Sequence, residues 1–527
     1  MSKQGLAKAA GIVAFLTVVS KILGFVRETS LAAVFGATAD VDAYLVAQTI
    51  PLFLFSIVSY SLTTTFIPMY SRVREEHGQE HAFRFTSTVM WVILVVGILL
   101  VVIGEIFATP LARIVAPGFD GEIVELTVYM SRIIFPMMAF QLLSGIMTGI
   151  LQADNNFATP TAAGLVQNIC IIVAILAFGS YFGIVAVAVG LLIGTVSSTL
   201  VKIPAVHRTG FRWGRTFNLR DPNLKRMLIL MVPAVVGAGA GRLNTLVDRI
   251  LASGLPEGRI SALNYANRLM DLAPSIIGTS ILTVVYPTLA KMVARKEWEN
   301  FGEGLASSLS LMHLLLAPIA VGVLVLREPL VRVVFERGVF DSLATQETSW
   351  ALLFLSLGIA VTSMRMLVNR AFFAMHDTKT PMLLGLITVG INIALNVVLV
   401  GPLEQGGLAL ATTLAAAVGL FLGLFLFKKK APASLPGRRL ASSVIRTGIA
   451  SVVMGIAVWF IYPWIERVLA APGTLVELVR LGIAAILGAV IYGFFIWILR
   501  VPEISELVKV IQRGLSGVKT RMAKPEL

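Results

Sequence analysis

The sequence predicts an all-α polytopic membrane protein of about fourteen transmembrane helices. They form two six-helix lobes around a central cavity, with two extra helices at the C-terminal end. Three observations predict it. The 527 residues are 57% hydrophobic and only 14% charged, with a mean hydropathy of +0.86, which is the composition of a membrane protein rather than a soluble one. Basic residues gather in alternate connections. A charge pattern in the first apolar segment returns in the seventh. The runs are continuously apolar, so the alternation of a β-barrel is excluded.

A span needs about 20 apolar residues. Candidates lie near 9–35, 43–70, 86–110, 122–151, 158–180, 183–205, 225–254, 260–290, 304–327, 346–374, 381–401, 406–427, 441–464 and 476–499. Lys3 and Lys8 precede the first run as in a signal peptide, but the run continues through charges without a clear cleavage site and reads as the first span. Arg72, Arg74 and Arg84 follow span two; Arg208, Arg212, Arg215 and Arg220 follow span six; Lys291, Arg295 and Lys296 follow span eight; Lys428, Lys429 and Lys430 follow span twelve. Loops 36–41, 179–183 and 401–407 carry no Lys or Arg. The positive-inside rule places both termini in the cytoplasm. The net charge of +14 is then a topological signal, and no nucleic-acid partner is expected.

The longest polar stretch, about 206–224, divides two similar halves. Pro110-Leu111-Ala112-Arg113-Ile114-Val115 returns as Pro329-Leu330-Val331-Arg332-Val333-Val334, 219 positions later. Pro68 matches Pro287 at the same offset, and Thr159-Pro160 matches Thr380-Pro381 at 221. Six spans per copy give both copies one orientation, a parallel repeat. The divisions are 1–220, 221–432, 433–505 for spans thirteen and fourteen, and a cytoplasmic basic tail over 506–527.

The repeat includes charges inside the spans. Lys21, Arg27 and Glu28 recur 221 positions later as Arg242, Asp248 and Arg249. A charge near the bilayer centre costs roughly 2.5–3.5 kcal/mol on insertion scales, so such residues point to a functional site. Lys21 and Glu28 share a helix face, and Gly24 permits a bend between them. A self-neutralising ion pair is the plainer alternative. Asp42 opens span two, either as a helix-start acid favoured by the dipole or as a functional one. Arg268 and Asp271 stand at i, i+3 in span eight, with Pro274 able to kink the helix. Arg365 and Arg370 end span ten, where Arg370 reads as interfacial. Arginines around a wet cleft suit a phosphate or pyrophosphate, because the guanidinium offers forked donors.

Other chemistries find no support. Five scattered histidines show no metal-ligand spacing, and lone Cys170 cannot form an intrachain disulfide. Gly237-Ala238-Gly239-Ala240-Gly241 lies inside an apolar helix and is no nucleotide loop. No Walker motif or catalytic constellation stands out, so the chain reads as a non-enzyme without cofactor.

Several motifs carry a resemblance. They are Val19-Ser20-Lys21-Ile22-Leu23-Gly24-Phe25-Val26-Arg27-Glu28, Phe35-Gly36-Ala37, Asp42-Ala43-Tyr44, Ala116-Pro117-Gly118-Phe119, Tyr265-Ala266-Asn267-Arg268-Leu269-Met270, Asp377-Thr378-Lys379-Thr380-Pro381 and Gly401-Pro402-Leu403. In these the chain resembles the MurJ (MviN) family of lipid II flippases, within the multidrug/oligosaccharidyl-lipid/polysaccharide exporter superfamily. The likeness runs over nearly the whole chain. It implies movement of an undecaprenyl-pyrophosphate peptidoglycan precursor between leaflets of the bacterial cytoplasmic membrane. It also implies alternating access around a cationic cavity, and a lipid-tail groove at the last two helices. Arg27 and Arg268 match family arginines needed for activity. Lys21 stands where many members have arginine, Glu28 where aspartate is common, and Asp42 matches a family aspartate. After Pro51 the chain departs, reading Leu52-Phe53-Leu54-Phe55-Ser56 where some members carry an arginine pair and a Glu-Gly-Ala-Phe-Ser segment.

The expectation is that Arg27 and Arg268, with Lys21 and Arg242, bind the pyrophosphate. Asp42, Glu28, Asp248 and Arg249 orient these cations or change partners during the switch. Expected partners are lipid II, membrane lipids, and cell-wall synthesis or division proteins. Proton, sodium, chloride and membrane potential all stay open as the coupling source. A flippase for another polyprenyl-linked glycan, a cation-coupled drug exporter, and a membrane enzyme or scaffold of envelope synthesis are the alternatives.

Overall fold

A computed structural model describes residues 3–432 and 435–503; the basic tail expected over 506–527 lies outside the described residues. Every regular element among the described residues is helical. Contacts divide the chain into two compact units, Met1–Ala262 with Phe335–Thr345, and Leu263–Val334 with Gln346–Leu527.

In the first unit α1 spans Lys3–Phe35 without interruption, so Gly24 produces no break. Short α2 (Ala39–Ala47) and α3 (Thr49–His77) together form span two. Then come α4 (Gln79–Ile106) and the short α5 (Ala108–Val115). Span four is interrupted at Phe135–Pro136 into α6 (Gly121–Ile134) and α7 (Met137–Ala153). Helix α8 (Ala158–Val173) runs into a π-helical turn at Ala174–Phe178 and α9 (Gly179–Phe182). Helices α10 (Val185–Leu200) and α11 (Ile203–Arg208) follow. The polar connection ends at Asp221, whose carboxylate accepts from the Asn223 amide and starts α12 (Pro222–Ala252). That is a side-chain cap with proline at the first helical position. Helix α12 packs on α3, which places the seventh long helix in this unit. The core joins Phe66, Tyr70, Phe85, Ile146, Phe211 and Met227.

The second unit takes up most of α13 (Arg259–Met270). Span eight is broken there: a π-helical turn at Pro274–Gly278 precedes α14 (Thr279–Ala294), as expected where proline removes a backbone donor. Next come α15 (Trp298–Val325), α16 (Arg327–Phe335), α17 (Ser342–Ser356) and α18 (Gly358–Ala374). The last two meet at 42°. Helices α19 (Lys379–Leu403), α20 (Gln405–Lys430), α21 (Gly437–Val468) and α22 (Thr474–Ile498) complete it. Tyr492 on α22 donates to the Leu314 carbonyl at 2.7 Å, tying α22 to α15.

Eleven of the described helices are long and apolar enough to cross a membrane, twelve if the bent pair α17–α18 counts as one span. Helices α1 and α12, which carry the repeated charges, are also of spanning length. Apolar side chains point outward, such as Val95, Leu99 and Val102 on α4 and Trp459, Phe460 and Trp464 on α21, as lipid contact requires. The internal repeat is visible in the helix boundaries. Helices α4 and α5 begin 219 residues before α15 and α16, and α6, α7 and α8 begin 221 before α17, α18 and α19. Each copy therefore carries a short helix at its Pro-Leu motif, followed by a span interrupted at the same place.

Candidate functional site

Within α1 the Arg27 guanidinium donates to the Glu28 carboxylate at 2.6 Å and to Asn168 Oδ1 on α8 at 3.3 Å. Adjacent helix residues do not normally face each other, but the long arginine arm folds back to reach its neighbour. Glu28 is buried, while the Arg27 side chain keeps 27% exposure. The ion pair of the plainer alternative is therefore present, yet it leaves guanidinium N–H groups open to water or a ligand. Lys21, two turns earlier, is exposed.

Asp42 is 2% exposed. Its two carboxylate oxygens accept the backbone N–H of Gly258 and of Ser261, both at 2.7 Å. These amides open α13, so Asp42 stands on α2 and caps a distant helix, where unpaired donors and the dipole favour an anion. Gly258 adopts φ +82 and a Cβ there would strike the Ala37 carbonyl, so only glycine lets the turn approach this closely. Arg249, near the end of α12, donates to the Ile260 carbonyl at 3.4 Å. One turn thus gathers Asp42 and Arg249.

Of the remaining charges, Arg242 is exposed on α12, Asp248 is partly buried, and Arg268 is exposed on α13. Arg27 belongs to the first unit and Arg268 to the second. Arg370 lies over the Tyr286 ring at 5.4 Å, a cation–π contact. Arg365 donates to Thr388 at 3.3 Å. No group of three or more His, Cys, Asp or Glu side chains placed to hold a metal occurs among the described residues.

An apolar groove of about 410 Å³ lies in the second unit against α15, α21 and α22, where Gly322, Met454, Val458, Ala485 and Tyr492 line it. Beside α22's start, Glu477 is paired with Arg480 and Arg332 and accepts from Tyr462. Sequence reasoning missed Asn168, an uncharged residue in an apolar run. It also missed Lys202, which by position belongs to the basic end of span six.

These helices define a multi-pass membrane protein with an internal repeat. The family model described as "Lipid II flippase MurJ" matches residues 31–482. A "Probable lipid II flippase MurJ" of Rhizobium meliloti is 30% identical, over 99% of this chain and 99% of its own length. One of Rickettsia prowazekii is 30% identical over 77% of this chain and 80% of its length. The chain belongs to the MurJ family. A solved "Lipid II flippase MurJ, inward closed conformation" shares the fold with TM-score 0.79 at 24% identity, over 92% of this chain and 99% of that one. An inward-facing multidrug resistance MATE family transporter shares it more distantly, with TM-score 0.65 at 14% identity.

Proposed function

We infer that the chain is a lipid II flippase that carries the undecaprenyl-pyrophosphate precursor from the inner to the outer leaflet of the bacterial cytoplasmic membrane. Family membership supports the substrate. The observation that carries the site is Arg27, a spanning-helix guanidinium only partly engaged by Glu28 and Asn168. Forked donors match phosphate oxygens. In this reading Arg27 and Arg268, with Lys21 and Arg242, hold the pyrophosphate. Glu28, Asp42, Asp248 and Arg249 orient these cations or change partners during alternating access. The polyprenyl tail stays in lipid or in the groove by α21 and α22, so only the polar head needs shielding. Both termini are cytoplasmic by the positive-inside rule, and cell-wall synthesis enzymes would supply and consume the substrate.

The test is rescue of a bacterium depleted of its own flippase. Arg27→Ala and Arg268→Ala are expected to abolish rescue while the protein still reaches the membrane; full rescue by both overturns the site. Native mass spectrometry of the purified protein checks the substrate. Co-purified lipid II supports the reading, and another polyprenyl-linked glycan in its place refutes it.

A further inference from the structure

We propose that Lys202 makes an anion-binding site inside the first unit, built from residues other than the arginines of the flippase reading. Lys202 sits between α10 and α11 and is 7% exposed. Its ammonium donates to Ser144 Oγ at 2.5 Å and Thr148 Oγ1 at 3.1 Å, both on α7. No carboxylate pairs with it among the described residues. A buried charge without a counter-ion is costly, and such groups are normally paired. The structure supplies hydroxyls but no negative charge.

A polar cavity of about 210 Å³ opens beside this ammonium, lined also by Gln141, Ser144, Gln167, Thr195 and Ser198. Its donors are only partly used. An ammonium has three N–H groups, and two partners are present. Ser144 accepts from Lys202, which leaves its own hydroxyl proton to give. Gln141 is 8% exposed and its Oε1 has no partner, while its Nε2 meets only the Met137 sulfur at 3.8 Å, a weak acceptor. Turning that amide over brings its NH₂ to the unpartnered position. One full positive charge and several free donors, with no acid, are the recognition chemistry of an anion.

The second unit carries an analogous cation. Counting 221 residues on from Ser144 and Gln167 gives Arg365 and Thr388, and Arg365 donates to Thr388. Its Nε is buried without a partner, and no carboxylate pairs with it among the described residues. The lysine itself is not repeated: α20 begins 220 residues after α10, which puts Leu422 at the position of Lys202. Each unit thus carries a buried or part-buried cation that no carboxylate pairs with among the described residues, supplied by a different residue in each.

The ligand is a small inorganic anion or an anionic group of a larger substrate. The test uses the full chain in lipid nanodiscs, titrating chloride or inorganic phosphate against gluconate at constant ionic strength, with unfolding followed by tryptophan fluorescence. Wild type and Arg27→Ala are expected to be stabilised saturably. In the Arg27→Ala background, Lys202→Met is expected to lose the response to chloride, Lys202→Arg to keep it, and Gln141→Leu to weaken apparent affinity by about tenfold, the size of one lost hydrogen bond to a charged group. If Lys202→Met does not fold, Gln141→Leu carries the test alone. Silence toward inorganic anions, with weaker retention of lipid-linked pyrophosphate by Lys202→Met in native mass spectrometry, assigns the anion to the substrate. Neither response differing between wild type and the Lys202 and Gln141 variants overturns the site. Because Arg27→Ala retains the titration, loss of flipping in that variant and loss of this site are read separately.

Discussion

Asp42 shows how one side chain holds two segments that the sequence keeps far apart. The amides it accepts lie 216 and 219 residues away. Removing a capping carboxylate costs about 0.5–2 kcal/mol, and here two buried donors lose their acceptor at once, so the upper end applies. Asp42→Ala is therefore expected to lower the unfolding midpoint and raise hydrogen exchange at Gly258 and Ser261, while α4, which makes no bond to Asp42, exchanges as before. Unchanged exchange at those two amides removes the capping role. The sequence made the acid visible at a helix start and showed Arg27 beside Glu28. Asn168 was not legible, because an amide in an apolar run has no pattern until folding brings α8 against α1. Nor was Lys202, since a lysine at a span's basic end looks the same whether it turns to water or inward.

At the scale of elements, the helix starts divide by how locally they are encoded. Asp221 and Pro222 announce α12 in two adjacent residues. Asp377 likewise receives the Thr380 amide at 2.9 Å and opens α19, and Lys430 lies 3.6 Å away. Burial alone raises the Asp377 carboxyl, but the Thr380 hydroxyl and amide and the Lys430 ammonium outweigh it and hold the group below the usual carboxylate range. The folded value thus lies below the unfolded one, about 3.9. Its stabilisation is complete above that unfolded value and fades as pH falls through the depressed folded one. Protection of α19's first turn in hydrogen exchange is expected to drop between neutral pH and about pH 3. In Asp377→Ala it should already be low at neutral pH; equal protection in both proteins at neutral pH contradicts this. The sequence predicts span four as unbroken; Pro136 stands at its interruption, whereas no proline stands at the counterpart, Leu357. There the 221-residue repeat is the guide, since a break in one copy predicts a break in the other.

For the molecule as a whole, hydropathy gave the all-helical, many-span class, because lipid forces backbone polar groups into helices, and the repeat gave the matching helix boundaries. Membership of each helix in a packed unit was not legible: α12 begins the second sequence copy yet packs on α3. The groove beside α21 and α22 offers a test at this scale. Ala485→Trp fills it with an aromatic ring and is expected to slow flipping of the full-length lipid several-fold. Retention of a short-chain pyrophosphate analogue should be unaffected. Equal flipping in wild type and variant would exclude the groove from the tail's path.

The partners of Asp42 have a genetic consequence. Its carboxylate accepts the Ser261 main-chain amide, which every residue but proline possesses, so that bond outlasts a change of side chain even though the Ser261 hydroxyl also helps to hold the group. A suppressor screen starting from an Asp42 defect should therefore yield no compensating charge swap at the far end. Conversely, Ser261→Pro should mimic that defect with the aspartate intact.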